Sequence, residues 1–280
     1  MLDILLNLGC KYNKIVMYYF LFGGYMEYGL IGEKLSHSFS KDIHEQLADY
    51  TYEITPIERD AVDEFMKAHD FKAINVTIPY KQTVIPYIDV LDDKAARIGA
   101  VNTVVNRNGK LYGYNTDFYG FLYMCQHNNV TIENKKVLVI GNGGAAAAIK
   151  AVVEHLNAAE YIVVDIVPGD GVITYEECYA NHTDAQVIIN TSPVGMYPKV
   201  DASPVDLTHF KNCEAVLDVV YNPLVTKLTA QAAELGMQAV NGLEMLVAQA
   251  KYAVEYFLDT TMDDAVIDPI YKDIYEKKNQ

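Results

Sequence analysis

The chain has no tryptophan, few basic residues and only four cysteines among its 280 residues. Each shortage excludes something. With 22 Lys and Arg against 37 Asp and Glu the formal net charge is −15, so non-specific attraction to nucleic-acid phosphates or to an anionic membrane is disfavoured. Cys10, Cys125, Cys178 and Cys213 form no CxxC pair, which argues against a disulfide framework and a zinc knuckle and fits free thiols in a reducing cytoplasm. The histidines show neither HExxH nor HxH spacing, so no metal site is expected. The apolar run from Ile15 to Phe22 is far short of the ~20 residues that span a bilayer, and Gly23-Gly24-Tyr25 lacks a small-x-small cleavage pattern. Residues 1–25 are expected to be an extension outside the natural chain, which then starts at Met26. Phe22-Gly23-Gly24 suits a translated purine-rich ribosome-binding sequence just ahead of that start.

What is present is a folded composition, 51% hydrophobic and 21% charged, long enough for two domains. From Tyr28 to about Asp117 short strands alternate with helical segments. The strands are expected at Tyr28–Ile31, Tyr52–Pro56, Ala73–Ile78 and Thr103–Asn106, with Lys110–Tyr114 after the turn at Asn108-Gly109. Helical or turn segments are expected at Asp42–Tyr50, Glu58–His69 and Lys94–Ile98. A helix from about Phe118 to Asn128 then leads to the buried-strand run Lys135–Ile140. Apolar runs at Tyr161–Val164, Gln186–Ile189, Ala215–Val220 and Gln238–Val240 continue a parallel-sheet pattern. The fold class is α/β, with an N-terminal α/β domain and a Rossmann-type doubly wound second half.

Between Ile140 and the helix at Ala147–Leu156 stands Gly141-Asn142-Gly143-Gly144-Ala145-Ala146. A strand, a GxGxxA turn and a helix in a βαβ unit suit a dinucleotide pyrophosphate, because glycines admit close backbone approach and the helix N-terminus supplies N–H groups. A tight strand-to-helix turn, or a methyltransferase loop, has the same spelling. Asp165 falls 24 residues after Gly141, where NAD-binding folds place an acid against the ribose hydroxyls, and no Arg or Lys follows it. That chemistry favours NAD over NADP. A strand-end Asp capping a turn is the competing explanation.

Three first-half segments are rich in short polar side chains: His37-Ser-Phe-Ser40, Asn75-Val-Thr-Ile-Pro-Tyr-Lys81, and Asn115-Thr-Asp117 preceded by Gly99-Ala-Val-Asn-Thr103. In a strand Asn75 and Thr77 share a face, and Pro79 ends the strand before Lys81. Polar groups gathered at strand ends suit a polyhydroxylated ligand. With HSxS, NVTIPYK, IGAVNT, GYNTD, VIGNGGAA, NTSPVGM, DVVYNPLVT and NGLEMLVAQA in order, the chain from about Met26 to Phe257 resembles the shikimate dehydrogenase family.

The resemblance implies reversible reduction of 3-dehydroshikimate to shikimate with a nicotinamide cofactor, in aromatic amino-acid biosynthesis. Carried onto this sequence, it gives Ser38, Ser40 and Tyr221 to the substrate carboxylate and Thr77, Asn102 and Gln249 to ring hydroxyls. Lys81 and Asp117 become the catalytic pair, where general acid–base help is worth roughly 10²–10⁴-fold. The cofactor set is Gly141, Asn142, Gly143, Gly144 and Ala145 under the pyrophosphate, with Val219, Gly242 and Asp93 towards the nicotinamide. NADP is the family habit. The expected division is residues 26–117 with 246–280 as substrate domain and 118–245 as cofactor domain. The implied partner is a small molecule, with neither nucleic acid nor membrane, and nothing in the chain specifies an oligomeric state.

Several positions depart from the family pattern. Lys34 and Lys41 stand where Pro is common, and Phe118 where Gly is usual. Lys41 reads either as a solvated helix-start lysine or as a cation beside the substrate carboxylate. His37 is the only histidine expected near the substrate. The Asn-Arg-Thr cluster for the NADP phosphate is replaced by Asp165-Ile-Val, and the stretch to Asn190 is short, leaving Thr174–Ala180 as the remnant of a crossover helix. Two rival functions stay open: an NAD-dependent quinate/shikimate dehydrogenase, and a non-catalytic paralogue that binds a shikimate-like metabolite.

Overall fold

The computed structural model describes residues 25–35 and 38–278. The apolar run at 15–22, the question of a start at Met26, and His37 therefore fall outside the described residues, except that Met26 itself opens the first strand.

The first sheet contains β1 (Met26–Gly32), β2 (Tyr52–Pro56), β3 (Phe71–Val76), β4 (Val90–Leu91), β5 (Thr103–Arg107) and β6 (Lys110–Tyr114), in the order β2-β1-β3-β5-β6-β4. β2, β1 and β3 are parallel, joined through α1 (Ser40–Leu47) and α2 (Val62–Ala68). β5 and β6 form an antiparallel hairpin whose turn residues Asn108 and Gly109 both have positive φ. β3 ends two residues before the expected Ile78. Thr77 instead opens a turn, its carbonyl accepting the Tyr80 N–H, because Pro79 cannot donate to a ladder. The two-residue β4 was not foreseen; it precedes α3 (Asp93–Ile98), which Asp92 caps by accepting the Lys94 and Ala95 N–H groups.

The second sheet is wholly parallel. Its strands β7 (Lys136–Ile140), β8 (Glu160–Val164), β9 (Val172–Ile173), β10 (Val187–Asn190), β11 (Ala215–Asp218) and β12 (Gln238–Asn241) lie in the order β12-β11-β10-β7-β8-β9. Because strand side chains alternate, β7 feeds two cores. Val137 and Val139 pack with α4 (Thr116–His127) and α5 (Ala146–His155) on one face, while Leu138 and Ile140 pack with Cys178 of α6 (Tyr175–Asn181) and Leu228 of α7 (Lys227–Glu234) on the other. This is the doubly wound arrangement. No helix lies between β8 and β9; the short helix expected at Thr174–Ala180 follows β9 as α6, capped by Thr174.

The chain then returns to the first sheet. α8 (Leu243–Leu258) carries Gln249, and α9 (Ile267–Lys278) follows it and buries Ile267, Ile270 and Ile274 against α1 and α8. Pro269 in its first turn is compatible with a helix start, where its missing N–H goes unused.

Candidate active site

A pocket of about 270 Å³ opens between the carboxyl ends of both sheets, in the place where α/β proteins bind ligands. Its polar heart is assembled from three segments. Lys81 is fixed after the Thr77–Tyr80 turn by its own carbonyl, which accepts the Val101 N–H at 2.7 Å. Asp117 sits in the first turn of α4, whose N-cap is Asn115. Lys81 Nζ donates to Asp117 Oδ2 at 2.5 Å, and both side chains are largely buried.

Asn102 holds the other carboxylate oxygen. Its Nδ2 donates to Asp117 Oδ1 at 3.0 Å and to Thr116 Oγ1 at 3.0 Å, while its Oδ1 accepts the Thr116 N–H at 2.7 Å. Behind it lie buried polar groups that sequence reading had given no role. Thr103 Oγ1 donates to Asn102 Oδ1 at 2.9 Å, Asn75 Nδ2 donates to Thr103 Oγ1 at 3.1 Å, and Tyr52 donates its hydroxyl to Asn75 Oδ1 at 2.7 Å. Asn75 is thus bonded at both ends of its amide. The spacing of Asn75 from Thr77 hinted at a shared polar face, but the partners sit on other strands.

Ser38 and Ser40 lie at one end of the pocket, Ser38 Oγ donating to Ser40 Oγ at 3.0 Å and accepting the Ser40 N–H at 3.2 Å. Tyr221 lines the wall from the second half; burial raises its pKa, so its hydroxyl stays a protonated donor. Thr77 and Gln249 complete the polar lining, with Thr116 Oγ1 3.5 Å from Gln249 Oε1. Lys34, Leu35, Met245 and Leu246 also line the pocket, none of them assigned a binding role from the sequence.

The departures from the family pattern resolve differently. Lys41 turns away, its ammonium donating to Glu45 at 2.6 Å and to the Tyr52 carbonyl at 2.9 Å, so it adds no cation to the pocket. Phe118 is buried among second-half residues, edge-on to His155, with Lys94 Nζ 4.5 Å above its ring. Neither residue lines the pocket.

On the cofactor side, Ala145, Val219 and Gly242 line the same pocket. Gly141 has φ +95, and a Cβ there would lie 2.9 Å from the Ser192 nitrogen, so the turn needs glycine. Gly143 and Gly144 face open space, the nearest atom to a Cβ on Gly144 being Lys81 Cδ at 4.0 Å. The first turn of α5 has no side-chain cap. An open glycine cradle before uncapped helix N–H groups fits a pyrophosphate. Asp165 Oδ2 accepts the Asn142 N–H at 2.7 Å and Oδ1 accepts the Val167 N–H at 3.1 Å, which places it behind the cradle and outside the pocket. Asp93 is exposed in the first turn of α3 and also lies outside. No His, Cys, Asp and Glu grouping among the described residues is built to hold a metal.

Comparison with known proteins identifies the chain's relatives. Residues 30–104 match the model of the shikimate dehydrogenase substrate binding domain. A Clostridium beijerinckii shikimate dehydrogenase (NADP(+)) is 38% identical over 268 residues, covering 90% of this chain and 98% of that one. The chain belongs to the shikimate dehydrogenase family. Among solved structures, a chorismate mutase/shikimate 5-dehydrogenase fusion protein from Clostridium acetobutylicum is 37% identical with a TM-score of 0.85, covering 91% of this chain and 98% of that chain. The Thermus thermophilus shikimate 5-dehydrogenase in complex with NADP(H) and shikimate is 26% identical with a TM-score of 0.79, covering 88% and 98%. The family resemblance carried by the ordered motifs thus extends to the whole two-sheet architecture.

Proposed function

We propose that this shikimate dehydrogenase family member interconverts 3-dehydroshikimate and shikimate in aromatic amino-acid biosynthesis, using a nicotinamide dinucleotide. The observation that carries the reading is the 2.5 Å Lys81–Asp117 pair, held by Asn102 and standing beside the glycine cradle at Gly144. Ser38, Ser40 and Tyr221 hold the substrate carboxylate, and Thr77, Asn102 and Gln249 orient the ring hydroxyls. The nicotinamide, when bound, takes or returns a hydride. The chain's own task is the proton. In oxidation Lys81 acts from its neutral amine form, taking the proton of the reacting hydroxyl and becoming the ammonium as the carbonyl forms; in reduction that ammonium returns the proton to the new alkoxide. Asp117, with both oxygens engaged, keeps the ammonium aimed at one place.

The cradle residues Gly141 to Ala145, with Val219 and Gly242, bind the cofactor in this reading, whereas Asp93 stands apart from them. NADP is named with the relatives. Asp165 and the cation-free, exposed Ile166 and Val167 favour NAD as a second reading, because an acid there repels a 2′-phosphate. The deciding experiment follows shikimate oxidation as reduced nicotinamide absorbance, with NAD and NADP side by side. Turnover with either supports the enzyme; binding of shikimate without turnover would replace it by a metabolite-binding role.

Residues 26–117 with 246–280 form the substrate domain and 118–245 the cofactor domain in this reading, supported by α8 and α9 packing onto α1. A cytoplasmic location is supported by the buried free thiols of Cys125, Cys178 and Cys213. Among the described residues no helix is long and apolar enough to cross a membrane.

A further inference from the structure

The carboxylate end of the pocket is built from two separate pieces of chain, the Ser38–Ser40 segment and the loop bearing Tyr221. A third piece joins them. Lys278, the last residue of α9, donates its ammonium to the Tyr221 carbonyl at 2.9 Å. The same Nζ stands 4.8 Å from the centre of the Phe39 ring and 5.5 Å from that of Tyr221. Phe39 lies between the two serines, and its ring meets Tyr221 edge-on at 6.4 Å. One cation therefore touches both halves of the carboxylate end, by a hydrogen bond on one side and ring faces on both.

The neighbouring Lys277 pairs with Asp273 at 2.8 Å, but no carboxylate among the described residues pairs with Lys278. Burial alone pulls its pKa below the ordinary lysine value, as expected for an ammonium that has lost water without gaining an anion. The pocket lining itself holds two cations, Lys34, which is exposed, and Lys81, which Asp117 already neutralises, while Lys278 stands outside the lining and acts on it through Tyr221. In a chain of net charge −15, a partly buried positive charge without an acid beside it selects for an anion that arrives from outside.

We infer that Lys278 is a positioning and specificity residue for the substrate carboxylate: it locks Tyr221 and the Ser38–Ser40 segment into one receptor and adds a positive charge behind it. This rests on the proposed function, which supplies the carboxylate. The dissociation constants of shikimate and of its uncharged carboxamide, measured by calorimetry on the full chain, test it without relying on turnover. Lys278→Met keeps most of the stem and removes the charge, and Lys278→Arg restores it. The expected result is that Lys278→Met weakens shikimate about tenfold and the carboxamide less than about twofold, with Lys278→Arg recovering most of the acid's affinity. Thermal melts of both variants confirm that they remain folded. An equal loss for acid and amide, or no loss for the acid, overturns the inference while leaving the proposed function standing. If the unaltered protein binds neither compound, both fall together.

Discussion

Gly120 of α4 and Gln249 of α8 meet with no room for a methyl group between them: a Cβ on Gly120 would lie 2.8 Å from the Cβ of Gln249 and 2.7 Å from the carbonyl oxygen of Met245. The helix that carries Gln249 to the pocket is therefore seated by a hydrogen atom. Gly120→Ala is expected to push α8 outward, costing about 1–3 kcal/mol of stability and raising KM for shikimate more than KM for the cofactor. Denaturant unfolding and paired KM measurements check this. Unchanged KM values would mean that α8 tolerates the methyl without moving Gln249.

The proposed function gives Lys81 the proton and Asp117 the aiming of it. Lys81→Ala is expected to lower kcat by roughly 10²–10⁴-fold while shikimate affinity changes little. Single-turnover rates alongside binding measurements distinguish chemistry from binding. A kcat near the unaltered value would take Lys81 out of the proton transfer.

Asp165 is bonded to the cradle, and the proposed function gives its charge a part in choosing the cofactor. Asp165→Asn keeps an acceptor for the Asn142 N–H and removes the negative charge. The expected outcome is a shift of preference towards NADP, read as the ratio of kcat/KM for the two cofactors. A fall shared equally by NAD and NADP would leave Asp165 as a turn residue only.

Asp218, buried at the end of β11, accepts hydrogen bonds from Asn190, the Val220 N–H and the Thr226 hydroxyl. These favour the carboxylate, but burial outweighs them and raises its pKa from 3.8 to about 6. Between those values the unfolded chain releases a proton that the folded chain keeps, so this group's contribution is full below pH 3.8 and is lost as pH rises towards 6. The loss is about 3 kcal/mol at most. Asp218→Asn is expected to flatten that part of the stability profile, measured as the difference in unfolding free energy from the unaltered protein between pH 4 and 7. Parallel profiles would show that Asp218 titrates alike in both states.

Local chemistry made much of this legible. The uninterrupted Lys136–Ile140 strand, the glycine turn after it and the polar motifs around Lys81 and Asp117 each carry their signal within a few residues. What escaped was set by partners far along the chain. Asn75 and Thr103 acquire meaning only when β3 and β5 pair, and Tyr52 only when its strand lies two places away from β3. Of the two readings of Lys41, the helix-start lysine is the one the structure bears out, since Glu45 one helical turn on captures its ammonium. The short strands β4 and β9 offer two residues each, too few for a periodic pattern.

The seat of α1 has a consequence for how the protein is made. Ile43 and Leu47 are covered by α8 and α9, and Gln46 reaches Asp273, 227 positions along the chain. As synthesis runs from the N-terminus, this helix emerges long before the helices that cover it. Its apolar face must wait, exposed, until nearly the whole polypeptide has left the ribosome, so the sheet that is translated earlier is the one sealed last. A nascent chain halted after β12 would hold all six strands of the second sheet while the apolar face of α1 still lacked α8 and α9, and that uncovered face is where chaperones have the longest opportunity to bind.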